Sequence, residues 1–274
     1  MIALEPLSST RRPAVAGSFY PRGARELADT IEALLSQAPK LEKSGLVGIV
    51  VPHAGYMFSG RVAASAFAGL ASPKSTFERV LLIGPAHYVP VIGIAASSAR
   101  SFTTPLGEIA IDTEKIAALV DAGLIGIDDR AHAPEHALEV ELPFLQQALG
   151  RFTLIPLLVG EASPEEVAAI IAIVLDERTL LVVSTDLSHY LDYVSAQARD
   201  LASAKVIERL DYLRLGPKDA CGFAALNGAL CAASQRDWQI NRLDLRNSGD
   251  MSGDRDRVVG YAAWAFSAST PGAT

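Results

Sequence analysis

Only two cysteines, Cys221 and Cys231, occur in the 274 residues. They fall in one helical-looking run, where ten residues of rise separate them by ~15 Å, beyond disulfide reach. Both are expected to be reduced, which suits a cytosolic compartment. Long apolar runs are missing as well: "TLIPLLV" and "TLLVV" are strand-sized, far below the ~20 residues of a spanning helix. The opening "MIALEPLSSTRRPAVAGSFYP" lacks the basic-then-apolar order of a secretory signal, so a cytoplasmic, membrane-free protein is expected. No basic cluster offsets the formal charge of −7. Nucleic-acid binders usually carry a basic stripe, so nucleic acid and anionic membranes are excluded as partners. The chain also has no Walker A loop, no G-x-G-x-x-G fingerprint and no G-x-S-x-G elbow. Kinase chemistry and serine hydrolysis, the latter suggested by Ser184 and Ser188, are therefore poor readings.

What is present is the composition of a globular domain, half hydrophobic and a fifth charged. Strand-like and helix-like segments alternate from start to finish, the pattern of an α/β fold. Leu27, Ile31, Leu34 and Leu35 recur at helical spacing. An apolar run over 46–51 follows, and a helix is expected from near Ser59. "RVLLIGPAH" and "VIGIAASSA" read as buried strands, and "TTPLGEIAID" as a turn and short extended segment around Pro105 and Gly107. A helix is expected over "APEHALEVELPFLQQAL", with Pro134 in its first turn. Next come the strand "FTLIPLLVG", a helix opened by the capping box of Ser163, Pro164 and Glu166, and the strand "TLLVVSTD". Helices are expected over roughly 196–213 and 221–234, then a closing pair of strands, "WQINRLDLRNS" and "RVVGYAAWAF". No repeat or linker interrupts the series. A single domain over 8–268 is expected, with 1–7 and 269–274 as flexible termini.

Three of the five histidines stand just beyond apolar runs: His53 after "IVVP", His87 after "LLIGPA" and His189 after "LLVVSTDLS". One such histidine alone reads as a loop imidazole on a local carbonyl. If the three runs are neighbouring parallel strands, the residues past their carboxyl ends share one crevice, where open α/β sheets bind ligands. Clustered imidazoles allow metal binding, proton transfer or both. His132 and His136 are four apart, but Pro134 between them argues against a continuous zinc-binding helix. Glu135, Glu139 and Glu141 read either as a solvated acidic face or, for Glu135 beside His136, as a pair that holds the site's geometry. Asp186 either orients His189 or accepts a proton, or is a plain turn aspartate. Cys221, at the start of an apolar helix, reads as an inert core thiol, the alternative being a thiol activated by the helix N-terminus.

The segments "RRPAVAGSFYP", "VPHAGYMFSG", "LLIGPAHY", "TPLGEIAID", "EHALEVELPFL", "STDLSHY", "CGFAALNGAL" and "VVGYAAWAF", in this order from about Arg12 to Phe266, resemble the MEMO family, in particular the bacterial and archaeal AmmeMemoRadiSam system protein B type. The resemblance implies a three-layer α/β/α sandwich with a central, mainly parallel sheet, similar to the class III (LigB-type) non-haem iron dioxygenases. It implies His53 and His87 as metal ligands and His189, with Asp186, as the acid/base group. Tyr56, Tyr88, Glu135 and His136 are expected to contact substrate or support the ligands. Some relatives place a cysteine third ligand where Met251 stands here, and the dioxygenases use a carboxylate. Asp250, or else Met251, is therefore the expected third ligand, with iron(II) favoured by a carboxylate and copper by a thioether. A third reading is that Met251 is merely packed and the site no longer binds metal tightly.

Two functions follow from the resemblance. One is an iron-dependent, dioxygenase-like oxidoreductase acting on a small aromatic or otherwise polar substrate, with His189 moving the proton. The other is a non-catalytic protein that uses the inherited pocket to bind a ligand, a peptide or a protein. A radical-SAM protein is an implied partner in either case. Fold analogy does not choose between them.

Overall fold

A computed structural model describes residues 9–39, 45–70 and 77–268. The termini expected to be flexible, 1–7 and 269–274, lie outside the described residues. Four parallel strands form the centre of one large sheet, in the order Thr153–Val159, Arg79–Pro85, Thr179–Ser184, Leu46–Val51. Strands covered on both faces read as unbroken apolar runs rather than alternating ones, and every residue of Thr179–Ser184 is buried. Beyond Leu46–Val51 the sheet continues with Val258–Ser267, antiparallel to it and to Gln239–Asn247, the expected closing pair. Beyond Thr153–Val159 it continues through Gly107–Ile111 and Ser101–Thr104 to Thr10–Arg11.

Two sets of helices enclose the sheet. Ala24–Gln37, Tyr56–Phe67 and Leu142–Leu149 pack on one another, with Phe67 and Phe144 stacked at 4.9 Å between centroids. Pro164–Val174 packs on Phe223–Gln235, which lies over the strands Arg79–Pro85 and Thr179–Ser184. A Cβ at Gly228 would come within 2.2 Å of Val167 Cβ, so only glycine permits this approach. The result is the three-layer α/β sandwich with a mainly parallel sheet that the resemblance implies.

Local signals place most helix starts well. Both halves of the capping box of Ser163 and Glu166 are formed. Asp192 caps Tyr193–Glu208 by accepting from Val194 N and Ser195 N, which starts that helix three residues earlier than expected. Tyr56–Phe67 likewise begins three residues before Ser59, after Gly55.

The helix expected from Pro134 does not form. A short helix, Asp129–His132, ends before it, and the chain then bends because Glu135 Oε1 accepts from the nearby backbone N–H groups of His136 and Ala137, at 2.8 and 2.9 Å. A 3-10 turn, Glu139–Glu141, leads into Leu142–Leu149, with Pro143 in the first turn where a proline costs no hydrogen bond. Glu135, Glu139 and Glu141 are all buried, not a solvated face. Buried carboxylates need partners. Glu139 finds them in the Arg11 guanidinium, the N–H groups of Ala14 and Val15, and the Tyr20 hydroxyl, fastening the N-terminal segment beneath the bend.

Candidate metal centre

The strands that lead to His53 and His87 are not neighbours, because Thr179–Ser184 runs between them. At the usual strand spacing their ends lie roughly 10 Å apart. The chain turns inward past Val51 and Pro85, and the His53 and His87 rings meet at 5.1 Å between centroids. His136, delivered by the bend, completes the group at 5.4 Å from His53 and 4.7 Å from His87. One nitrogen of each lies within 4.8 Å of the others, at the carboxyl edge of the parallel strands.

Each ring is held from behind. Glu135 accepts from the His87 backbone N–H and from His87 Nδ1–H, at 2.5 and 2.9 Å. A carboxylate on Nδ1 fixes the tautomer and leaves Nε2 as the donor atom. Burial raises the Glu135 pKa, but hydrogen bonds from His136 and His87 outweigh it and hold the carboxyl well below its usual range. His53 donates its backbone N–H to Asp186 Oδ1 at 2.9 Å, and its Nδ1 lies 2.7 Å from Ser184 Oγ. Burial, then the neighbouring His87 and His136, hold the His53 pKa well below the ordinary value, so the ring is neutral and its lone pair available. His136 Nδ1 is buried 3.2 Å from the same carboxylate, at Glu135 Oε1. Three converging imidazoles are a donor set that suits a zinc, copper, nickel or iron ion.

The structure brings some expected residues here and takes others away. Asp186 is buried beside His53, and burial pushes its carboxyl up to about 7 against the opposing hydrogen bond from the His53 backbone. His189 Nδ1–H donates to Leu187 O at 2.8 Å, leaving a lone pair on Nε2. Desolvation of its ring lowers the His189 pKa, and His87 adds to the effect. Tyr88 is exposed, its ring 5.7 Å from His136 at the mouth of the site. Tyr56 turns away: its hydroxyl donates to Val140 O and its ring packs on Phe144 in the core. Asp250 does not join the histidines. Its two oxygens accept from the Tyr193 hydroxyl at 2.6 Å and Asn247 N at 2.9 Å, in the short helix Gly249–Ser252 that also carries Met251. The third member of the group is instead His136, which had been expected only to support the ligands.

Cys221, read as a core thiol, reaches the floor of the site, its Sγ 3.3 Å from His53 Nε2. Burial, followed by the Asp186 charge, pushes this thiol up to about 12, the opposite of activation. A signal for His136 was present in the sequence, since it directly follows the glutamate that holds His87. Helical spacing through "EHALEVELPFL" concealed it.

His132 lies outside the group, buried, with Nε2–H donating to Ala95 O at 3.0 Å. Burial lowers its pKa from 6.5 to about 4. The unfolded chain therefore binds the extra proton between these values, so this contribution is complete above pH 6.5 and is lost as pH falls through about 4. The loss amounts to about 3 kcal/mol. Urea denaturation across this range should show a shallower acid-side decline in His132→Gln than in the parent, whatever the variant's stability at neutral pH. Equal slopes would remove His132 as the source.

Among described residues no helix is long and apolar enough to cross a membrane. An uncharacterized protein from Escherichia coli K12 shares the fold, with a TM-score of 0.51 over 80% of this chain and 99% of the other, at 12% identity. A MEMO1 family protein of Methanopyrus kandleri is 36% identical over 93% of this chain and 98% of its own length. One from Aquifex aeolicus is 34% identical over the same shares. The family model described as Memo-like protein matches residues 11–265, a span holding all three clustered histidines, and the chain belongs to the MEMO family.

Proposed function

We propose that this chain is a metal-dependent oxidoreductase of the dioxygenase-like kind, acting on a small substrate with molecular oxygen as oxidant. The observation that carries this reading is the convergence of His53, His87 and His136 nitrogens within 4.8 Å of one another at a sheet's carboxyl edge. These three residues would hold the ion, with iron(II) the first choice and copper the second. The ion would supply Lewis acidity and open positions for substrate. His189 is the proton-transfer group. Its Nδ1 is committed to Leu187 O, so Nε2 receives or returns the substrate's proton. Glu135 keeps His87 oriented, and Tyr88 together with Tyr190, the latter exposed beside His189, borders the entrance.

Anaerobic purification followed by metal analysis and an oxygen-uptake screen tests the reading. Near-stoichiometric iron and substrate-dependent oxygen uptake are expected. His189→Ala should keep the metal and lose the uptake. A metal-free protein that still binds a ligand after iron(II) reconstitution fails would establish the non-catalytic binding function instead.

A further inference from the structure

The group behind His53 differs from the one behind His87, and its hydrogen bonds can be assigned completely. Ser184 Oγ is fully buried and has three close polar neighbours: His53 Nδ1 at 2.7 Å, Ala137 O at 2.7 Å and Glu141 Oε1 at 2.9 Å. A hydroxyl has one proton to donate and two lone pairs with which to accept. The Ala137 carbonyl brings no proton, so the contact with it consumes the serine's single O–H. The other two neighbours must then both donate. His53 presents Nδ1–H, and Glu141 presents a carboxylic acid O–H. Any other assignment either sets lone pair against lone pair at hydrogen-bond distance or splits the serine's one proton between two acceptors, a costly arrangement in a site without water access.

We infer that Ser184 and an un-ionised Glu141 are positioning residues that lock His53 as its Nδ1–H tautomer, turning the Nε2 lone pair toward the metal position. The inference rests on His53 being a ligand. Two further observations agree with it. Glu141 is fully buried with no cation among its hydrogen-bond partners, and burial raises its pKa well above the carboxylate range. Its Oε2 has no hydrogen-bond partner, which a neutral acid's carbonyl oxygen tolerates far better than a carboxylate oxygen would.

The two histidines are therefore backed by different chemistry. His87 leans on a carboxylate, which increases the electron density at its Nε2. His53 leans on a neutral hydroxyl that is itself held by a neutral acid. One ligand is thus a strong donor and the other an ordinary one, without any difference in residue type.

The test uses the full chain, ¹⁵N-labelled and freed of metal by chelation, so that the tautomer is read whether or not the protein binds iron. Two-bond proton–nitrogen correlation should show a His53 ring with protonated Nδ1 and bare Nε2, the signal being assigned by its loss in His53→Ala. Infrared spectra at neutral pH should show a protonated carboxyl band that disappears in Glu141→Gln. Cobalt(II) titration should find binding weakened by about 10–100-fold in Ser184→Ala and in Glu141→Ala. Glu141→Gln, whose neutral amide can donate to Ser184, should recover the affinity that Glu141→Ala loses. A His53 ring protonated on Nε2, or a Glu141→Gln variant as weak as Glu141→Ala, would overturn the inference. Failure of the parent to bind cobalt with the tautomer as expected would count against the metal site alone, and the spectra of the parent decide the tautomer even if a variant does not fold.

Discussion

Purified His53→Ala, His87→Ala and His136→Ala should each contain only background metal while retaining the parent's circular dichroism. Three imidazoles are the protein's whole contribution to the proposed site, and removal of one leaves a two-point site completed by water. Loss of an outer partner of a metal-bound histidine typically weakens binding by about 10–100-fold, so loss of a ligand should weaken it by more than about 100-fold. The fold should survive, because all three rings lie past the ends of regular elements rather than within the packed strands. The His136 variant is the most informative. If His136→Ala keeps full metal while Asp250→Ala loses it, Asp250 leaves its bonds with Tyr193 and Asn247 on metal binding, and the ligand set must be redrawn. Full occupancy in His53→Ala and His87→Ala would remove the site altogether.

Glu139→Ala should destabilise the protein by about 3–5 kcal/mol, the usual cost of removing one partner of a buried ion pair. Glu139 is inaccessible to solvent and the Arg11 side chain nearly so. Its carboxylate accepts at 2.8 Å from Arg11, 2.7 Å from Ala14 N, 2.9 Å from Val15 N and 2.6 Å from the Tyr20 hydroxyl. Truncation leaves a buried cation and three donors with no acceptor. Arg11 would retain its bonds to the carbonyls of His132 and Glu135 and a longer one to that of Arg12. The effect should reach the metal centre, because the anchored segment carries Phe19, whose ring lies 4.8 Å from that of His136. A fall in the urea midpoint without change of slope, accompanied by weaker metal binding, is the expected result. A loss below about 1 kcal/mol would mean that water reaches the vacated position and satisfies the donors.

His53 and His87 were legible in the sequence because each follows an unbroken apolar run, and such runs are what strands buried on both faces look like. Parallel pairing then had to bring their ends together. His136 was not legible in that way. Its neighbours Leu138, Leu142 and Leu145 repeat at helical spacing, and the force that breaks the helix is Glu135 binding its own backbone and a histidine 48 positions away. The burial of Glu139 and Glu141 was equally hidden, since a carboxylate's fate depends on partners as distant as Arg11 and Ser184. Asp250 shows the converse. It stands in the sequence where a third ligand was expected, but the Tyr193 hydroxyl and Asn247 N occupy its oxygens. Local signals such as the Ser163 capping box need no distant partner and were read directly.

The order of strands in the sheet also governs when the site can exist during synthesis. The strand ending at Val51 and the strand ending at Pro85 are made first, but they pair with Thr179–Ser184 and not with each other. A nascent chain that has emerged only as far as His136 possesses all three imidazoles and still lacks the spacer that sets their separation. Ser184, at the end of that spacer, also supplies the contact behind His53. Ribosome-bound chains truncated before Thr179 should consequently capture no metal: the proposed site would be loaded only after the late strand has inserted between the two early ones.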